Sequence, residues 1–253
     1  MTTDPPKASV TRVDIEGDIA ILTFDRPEKR NAMNDALIAE LDAFFTAPPE
    51  GVHAVILRGA GGHFCSGLDL AEHEHRPPVE GVHHSRNWHR VADLIEFGGL
   101  PVISALTGAV IGGGLEIATA THVRIAEPSV RFQLPEGRRG IFVGGGATVR
   151  VGRILGPDRM REMMLTGRSY GADEGLGFGL CHYTVGEGEL PRPAADNAPC
   201  STYLLRQTIP RVGDMSRADG LFTESLAAAM SQTSDGAKEG LRAFLEKRAP
   251  KFR

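Results

Sequence analysis

Apolar residues along the first sixty positions fall into short blocks with either β-type or helical spacing. Residues 10–15 and 19–24 are two β-type runs separated by the tripeptide Glu-Gly-Asp, and this spacing predicts a hairpin. Between residues 37 and 45 large apolar side chains recur at the spacing of one helix face, and Asn34 precedes them as a capping residue. The chain is therefore predicted to open with a ββα unit.

A second set of blocks leads to the middle of the chain. Residues 54–58, AVILR, form a continuous apolar run that is typical of a strand buried on both faces. The following loop, residues 59–69, is rich in glycine and can bring bare backbone against a ligand. Apolar side chains at helical spacing then predict an amphipathic helix over residues 88–97, and Pro101 opens the next strand.

Residues 102–116, VISALTGAVIGGGLE, combine a strand, a glycine triplet and the start of a helix. Glycines at such a turn let a substrate approach the backbone, and a helix start leaves N–H groups without partners. The turn is therefore a candidate oxyanion site. Glu116 adds a carboxylate within reach of it. Two roles stay open for this residue, a catalytic base or a first-turn residue favoured by the helix dipole.

The ββα pattern is predicted to recur after this turn. Residues 123–126 and 130–134 are short β-type runs, and a third glycine-rich stretch, residues 144–146, opens a helix that ends near Leu155. Two short helices and a last strand are then predicted over residues 158–166, 172–178 and 180–185.

The end of the chain carries helical patterns only. Pro191 and Pro193 mark a boundary, so we predict an α/β core over residues 1–190 and a helical region over residues 191–253. A helical appendage of this kind is a frequent way to build a subunit interface. Its predicted helices cover residues 195–208, 215–231 and 237–247.

Composition and charge narrow the class of protein. The 253 residues are 41% hydrophobic and carry a net charge of -4, which is ordinary for a soluble globular protein. No long basic tract is present, so neither nucleic acid nor an anionic membrane surface is an expected partner. The N-terminus lacks the apolar core of a signal peptide, and no apolar run reaches the about 18 residues of a membrane span. We expect a cytoplasmic protein.

Cysteine and histidine residues offer two further chemistries, and neither is expected. The three cysteines match no zinc spacing, and Cys65 has no visible base to activate it, so a structural role is predicted. Five histidines cluster before residue 90, but their spacings match no zinc motif, and a Pro-Pro pair separates them. We predict a solvated surface and no metal there. These histidines are His73, His75, His83, His84 and His89.

Two glycine-rich loops and two carboxylates form a candidate constellation. Each loop follows an apolar strand, so backbone N–H groups from both loops can converge on one oxygen atom. Glu116 and Glu136 stand twenty residues apart across a predicted pair of strands. An anion site beside a base points to chemistry on a carbonyl compound.

Longer motifs resemble one family over essentially the whole chain. HFCSGLDL at residues 63–70, PVISALTGAVIGGGLEIA at 101–118, FQLPEG at 132–137 and LTGRSYGADEGLGFGL at 165–180 look like segments of the enoyl-CoA hydratase/isomerase, or crotonase, superfamily. DRPEKRNAM near the start and FLEKRAPKF at the end fit the same pattern. Because the motifs stand in the family's order, together they are more specific than any one of them.

This resemblance implies a fold, an activity and a site. The fold would be α/β, a crotonase-like spiral of repeated ββα units with a C-terminal helical trimerisation region, assembled as a homotrimer or a dimer of trimers. The enzyme would be a hydro-lyase that adds water reversibly to a 2-enoyl-CoA thioester, with no cofactor apart from the coenzyme A of the substrate. By motif position Glu116 would deprotonate the water and Glu136 would protonate the α-carbon. The backbone N–H groups of Leu68 and Gly113 would form the oxyanion hole.

The resemblance also implies contacts with coenzyme A, for which the alternative at each charged residue is a solvated surface role. These residues are Arg26, Lys29, Arg30, Ser66, Asp69, Leu70, Lys247 and Phe252. One departure from the family pattern follows Glu136, where Arg138 and Arg139 stand in place of an apolar stretch. Either both arginines face solvent, or one meets a polar group of the substrate and lowers the pKa of Glu136.

Three functional alternatives stay open. A double-bond isomerase and a hydrolase of CoA thioesters use the same scaffold, and a non-catalytic acyl-CoA-binding subunit would keep the fold alone. The two carboxylates favour a hydratase, because members of the family that only shift a double bond often manage with one. A buried carboxylate pair is also costly to retain without use.

Overall fold

The computed structural model describes residues 9–71, 77–189 and 197–252. The chain divides into two compact units, Met1–Pro193 and Ala194–Arg253. The predicted boundary after residue 190, with its markers Pro191 and Pro193, lies outside the described residues and stays a prediction. No helix in the described ranges is both long and apolar enough to cross a lipid bilayer.

The first unit opens with the predicted hairpin. Strands β1 (Thr11–Glu16) and β2 (Ile19–Phe24) pair antiparallel. Helix α1 (Asp35–Thr46) follows, and the side chain of Asn34 accepts a hydrogen bond from the N–H of Leu37. The predicted ββα unit and its helix cap are confirmed.

Further strands and helices make up the rest of the described part of this unit. In order they are β3 (Ala54–Gly59), α2 (Pro78–Phe97), β4 (Val102–Leu106), β5 (Ala109–Ile111), α3 (Gly113–Ala120), β6 (Val123–Ala126), β7 (Arg131–Gln133), α4 (Ala147–Leu155), α5 (Pro157–Thr166), α6 (Ala172–Gly177) and β8 (Tyr183–Thr184). A six-stranded sheet has the order β1-β2-β3-β4-β6-β8, and β5 pairs with β7 in a second sheet. Every neighbouring pair beyond the hairpin is parallel.

Two consecutive units each place one strand in each sheet, whereas both strands of the opening hairpin lie in the large sheet. β4 lies in the large sheet and β5 in the small one before α3 begins, and β6, β7 and α4 repeat that arrangement. Parallel neighbours require a crossover connection, so each of these two units advances the large sheet by one strand and the chain follows a spiral. The predicted α/β spiral of ββα units is confirmed.

Apolar side chains of the large sheet, α1 and α2 form the core. Val55 and Leu57 of β3 are fully buried, as are Leu41 of α1 and Ile95 of α2. Burying a large apolar side chain contributes about 1.5–3 kcal/mol. This packing holds the carboxyl ends of β3 and β4. The first glycine-rich loop follows β3, and β5 connects β4 to the glycine triplet.

Two element ends in this unit differ from the prediction. α2 begins at Pro78 instead of near Trp88, so His83, His84 and His89 lie on this helix. Proline is well tolerated there because the first helical residue needs no N–H partner. β8 spans two residues, where the apolar pattern had predicted six.

The second unit consists of helices in its described part. Ser216 and Ser234 cap two of them by accepting backbone hydrogen bonds, and the first helix continues past Pro210, beyond its predicted end at residue 208. The predicted C-terminal helical region is confirmed, whereas its part in trimerisation stays a prediction. Its helices are α7 (Pro199–Val212), α8 (Arg217–Gln232) and α9 (Asp235–Leu245).

Candidate active site

Two glycines of the triplet are required by close packing. Gly112 has a positive φ of 53°, and a Cβ there would lie 2.6 Å from Oε1 of Glu136. A Cβ on Gly113 would lie 2.5 Å from Cζ3 of Trp88. Both distances are shorter than real Cβ contacts, so the start of α3 is formed by bare backbone against these two side chains.

The first glycine-rich loop lies against the same turn. A Cβ on Gly67, whose φ is 91°, would lie 2.8 Å from the carbonyl oxygen of Ile111 and 3.3 Å from the backbone nitrogen of Gly113. The N–H of Ile111 donates to the carbonyl oxygen of Cys65 at 3.0 Å. These contacts set Leu68, the residue after Gly67, beside the N-terminus of α3.

Two backbone N–H groups at this junction have no acceptor in the described part of the chain, those of Leu68 and Gly113. The N–H of Gly112, by contrast, donates to the carbonyl oxygen of Gln133 at 2.9 Å. Leu68 and Gly113 line the same cavity. An unpaired backbone donor costs about 1–3 kcal/mol when buried, so the pair is available to an oxygen atom of a bound molecule.

Glu116 is buried in the first turn of α3 and is held by the start of α4. Its Oε1 atom accepts hydrogen bonds from the backbone N–H groups of Gly145, at 2.8 Å, and Ala147, at 3.0 Å. Burial raises the pKa of Glu116, and these two N–H groups together with the charge of Arg150 oppose the rise. Donors at a helix start favour the charged form of a carboxylate.

Arg150 fixes the turn that holds Glu116. Its guanidinium forms ion pairs with Asp93, at 2.8 Å, and Glu96, at 2.6 Å, both on α2. It also donates to the carbonyl oxygen of Gly145 at 3.5 Å. The side chain therefore ties α4 to α2, and the backbone donors before α4 are held in place.

Glu136 begins a short 3₁₀ turn after β7, and its carboxyl group lies against Gly112. Its Oε2 atom is buried and has no hydrogen-bond partner among the residues described. Burial and the charge of Glu116 raise the pKa of Glu136 to about 7, while Arg139 acts in the opposite direction. This carboxyl group therefore keeps its proton to a higher pH than an ordinary glutamate does.

Both glutamates line one cavity of about 510 Å³. The oxyanion-site candidates Leu68 and Gly113 form part of the same wall, and Trp88, only 5% exposed, forms another part. A cavity of this size accommodates a small ligand or one end of a larger one. The two carboxyls and the two free donors therefore face one ligand space.

The two arginines after Glu136 point in different directions. Arg139 lines the cavity. Arg138 instead lies across Gly167, where its Cδ atom occupies the space that a Cβ would take. Of the two alternatives that the sequence left open, the structure places Arg139 at the ligand space and Arg138 away from it.

Arg26 and Asp69, two of the residues predicted to contact coenzyme A, form an internal ion pair. Both are buried, and Nη2 of Arg26 lies 2.9 Å from Oδ2 of Asp69. Arg26 also donates to the carbonyl oxygen of Ala32 at 2.5 Å. The pair joins the loop after β2 to the first glycine-rich loop, and its contact with coenzyme A stays a prediction.

The other predicted contacts in the first unit are more accessible. The side chain of Lys29 is 43% exposed, and Arg30 is exposed at the end of a short turn. Ser66 and Leu70 line the cavity, with 46% of Leu70 exposed. These four residues can meet a ligand without rearrangement of the core.

The two C-terminal predictions lie in the second unit. Lys247 has a positive φ of 52°, and the ring of Phe252 lies 3.7 Å from where Gly240 would carry a Cβ. Their approach to coenzyme A of a neighbouring subunit stays a prediction.

Cys65 has the environment of a structural residue. It is fully buried, and burial raises the pKa of its thiol to about 12, so it is not a thiolate nucleophile at neutral pH. Within the described ranges no group of three or more histidine, cysteine or acidic side chains is placed to hold a metal ion. His73 and His75 lie outside the described residues.

Sequence patterns did not reveal three participants in the site. The N–H groups that hold Glu116 were visible only as a glycine-rich helix start at residues 144–146, although such a start always leaves donors free. Trp88 was visible only as an apolar helix residue. Arg150 gave no signal, because its partners Glu96 and Asp93 lie 54 and 57 residues away.

Comparison with known proteins agrees with this fold. The family profile described as enoyl-CoA hydratase/isomerase matches residues 14–253, and the chain belongs to that family. The short-chain-enoyl-CoA hydratase of Clostridium acetobutylicum is 33% identical over 92% of this chain and 93% of its own length. The resemblance seen in the motifs is confirmed.

Solved structures show the same architecture. A crystal structure of a candidate enoyl-CoA hydratase from Rhodopseudomonas palustris matches with a TM-score of 0.91 and 44% identity, over 97% of this chain and 98% of that one. The crystal structure of an enoyl-CoA hydratase from Bacillus anthracis matches with a TM-score of 0.88 and 30% identity, over 96% and 98%.

Proposed function

We propose that this protein is an enoyl-CoA hydratase, which adds water reversibly and in the syn sense to a 2-enoyl-CoA thioester and forms a 3-hydroxyacyl-CoA. The conclusion is carried by two differently held carboxyls, Glu116 and Glu136, that face one cavity together with two free backbone donors. Membership of the enoyl-CoA hydratase/isomerase family supports it.

The backbone N–H groups of Leu68 and Gly113 bind the thioester carbonyl oxygen in this mechanism. That oxygen gains negative, enolate-like charge when water attacks the β-carbon. Donors already in place stabilise the charge without reorganisation, and each contributes about 10²–10³ in rate. The N-terminus of α3 adds a favourable dipole at the same point.

Glu116 and Glu136 divide the proton transfers. Glu116, whose Oε1 atom accepts hydrogen bonds from the N–H groups of Gly145 and Ala147, takes a proton from the attacking water. Glu136, whose pKa is about 7, delivers its proton to the α-carbon. Because both glutamates hold the same water on one face of the double bond, addition is syn, and the roles reverse in dehydration.

Coenzyme A binding and assembly complete the proposal. Lys29 and Arg30 supply exposed positive charge for the phosphates, and Ser66 and Leu70 contact the ligand at the cavity. The protein acts in the cytoplasm as a homotrimer or a dimer of trimers. Exposed apolar side chains on α9, among them Phe244 at 81% exposure, support a subunit interface there.

The test is hydration of crotonyl-CoA by the pure protein, followed as loss of the enoyl thioester and gain of the 3-hydroxyacyl product. We expect turnover by the wild type and losses of about 10²–10⁴-fold in Glu116→Gln and in Glu136→Gln. Product analysis with 3-enoyl and 3-oxoacyl-CoA separates an isomerase or a hydrolase. Full activity in Glu116→Gln, or no turnover of short, medium or aryl 2-enoyl-CoA, would overturn the proposal.

A further inference from the structure

We propose that Arg139 binds a carboxylate on the acyl chain of the substrate, so that the enzyme prefers 2-enoyl-CoA thioesters whose acyl group carries a negative charge. This preference rests on the hydratase function proposed above. It adds the chemical class of the acyl group to that function.

Arg139 and Glu136 lie on the same face of one helical turn. Residues Glu136–Arg139 form a 3₁₀ turn, in which side chains three residues apart are aligned. Both side chains accordingly line the cavity. Arg138, one position earlier on the turn, is rotated away and lies across Gly167.

The guanidinium of Arg139 forms no hydrogen bond or ion pair within the described part of the chain. The buried or partly buried arginines Arg26 and Arg150 are, by contrast, paired with carboxylates. The acid that experiences the charge of Arg139 is Glu136, whose pKa lies well above its ordinary value. An arginine without a counter-ion on a cavity wall is complementary to an anion, and its planar fork binds a carboxylate through two hydrogen bonds.

The location of Arg139 favours the acyl chain over the phosphates of coenzyme A as the source of that anion. Arg139 stands three positions after Glu136, the residue that delivers a proton to the acyl α-carbon, on the same 3₁₀ turn. The cations available to the phosphates, Lys29 and Arg30, come from the loop after β2 and are not among the described residues that line this cavity. A negative group at Arg139 therefore belongs to the reacting end of the substrate.

A bound carboxylate would also act on Glu136. Two charged groups face this carboxyl: Glu116, which raises its pKa, and Arg139, which lowers it. A carboxylate on Arg139 cancels the second effect, so Glu136 keeps its proton to a higher pH. Recognition of the acyl group thereby favours the protonated, reactive state of the acid.

The experiment compares 4-carboxybut-2-enoyl-CoA with its methyl ester. We expect wild-type kcat/KM to favour the acid by about 10–100-fold, the range for charge-assisted hydrogen bonds, and Arg139→Gln to lose most of that ratio. Arg138→Gln is the matched control, because it removes the same charge one residue away and should keep the ratio. In the wild type, the alkaline limb of kcat should lie at higher pH for the acid than for the ester.

Thioesters of pantetheine, which lack the phosphates, separate the two sources of negative charge. If Arg139 binds the acyl carboxylate, the effect of Arg139→Gln on the ratio persists with pantetheine. Arg139→Gln could instead lower kcat/KM equally for the acid and the ester with coenzyme A, and not lower it with pantetheine. That result would assign Arg139 to a phosphate and overturn the proposal. If the wild type hydrates crotonyl-CoA but its kcat/KM is the same for the acid and the ester, the role of Arg139 is overturned and the hydratase function is kept. Absence of all hydration overturns the hydratase function as well.

Discussion

A 2.8 Å hydrogen bond joins the carboxylate of Glu116 to the backbone N–H of Gly145, across 29 residues of sequence. The residues at the start of α4 thus bind a side chain of α3, the helix of the preceding unit. Glu136 has no such donor on its Oε2 atom among the described residues. Two carboxyls in one cavity are thus given different preferences for the proton, which is what an acid and a base require.

Hydration activity should fall as the pH rises through about 7. The active pair holds one proton, and burial raises the pKa of Glu136 to about 7, so above that value the proton is progressively lost. We expect an alkaline limb of kcat/KM near pH 7 with crotonyl-CoA. The same limb should appear in dehydration, because the overall reaction releases no proton. A profile that is flat to about pH 9 would show that Glu136 is not the acid.

Removing the ionisable group of Glu136 should stabilise the protein at alkaline pH. The folded-state pKa of about 7 exceeds the ordinary value of 4.5, so the folded state binds more protons between these values and the free energy of unfolding falls as the pH rises through them. This cost reaches about 3 kcal/mol above pH 7. We expect urea unfolding of Glu136→Gln to show that gain at alkaline pH.

The gain should be lost toward pH 4, because both states are then protonated at residue 136. A stability difference of the same size at both pH values would mean that packing or hydrogen bonding, and not ionisation, distinguishes the two proteins.

An alanine at residue 145 should impair catalysis more than an alanine at residue 144. A Cβ on Gly145 would lie 2.9 Å from Oε2 of Glu116, whereas a Cβ on Gly144 would meet Oγ of Ser85 at an ordinary 3.6 Å. Displacing the base by a fraction of an ångström costs about 10²-fold in kcat. We expect that loss for Gly145→Ala and a smaller one for Gly144→Ala, measured as steady-state hydration. Equal losses would assign the effect to the turn as a whole, and circular dichroism would verify that both variants fold.

Replacing Arg26 should weaken the fold more than the binding of coenzyme A. Arg26→Met leaves the buried Asp69 without its 2.9 Å partner and with Lys29 at 3.8 Å, so we expect a loss no larger than the about 3 kcal/mol lower bound for a broken buried ion pair. Adding Asp69→Asn should recover part of that loss, because the buried negative charge is removed. Urea unfolding measures the stability and KM reports the ligand. Unchanged stability with a raised KM would support a direct contact with coenzyme A instead.

Sequence reasoning succeeded where the signal is local. The cap at Asn34, the hairpin and the glycine triplet each depend on neighbouring residues, and all are present in the structure. Glu116 and Glu136 were matched to the family motifs, but their twenty-residue separation gives no distance in space. The parallel pairing of β5 with β7 is what brings the two segments together.

Features that depend on residues far apart in the sequence were not predicted. Arg26 was predicted to contact coenzyme A because of its charge and its place in a family motif. Its buried ion pair with Asp69, 43 residues later, has no local signal in the sequence. The sequence did not distinguish the adjacent residues Arg138 and Arg139. Their side chains point in different directions because of the 3₁₀ turn, and the sequence does not show whether a turn is 3₁₀ or α. The first half of helix α2 was not predicted, because it has little apolar periodicity.

Trp88 is the single tryptophan of the chain, and its ring lies in the cavity wall against Gly113 and Gly145. The indole fluorescence of the protein therefore comes from one side chain, which lies in the wall of the ligand cavity. A thioester that excludes water from this wall should change the emission, and titration of Glu116→Gln would give its affinity without turnover. The protein carries its own optical reporter of occupancy.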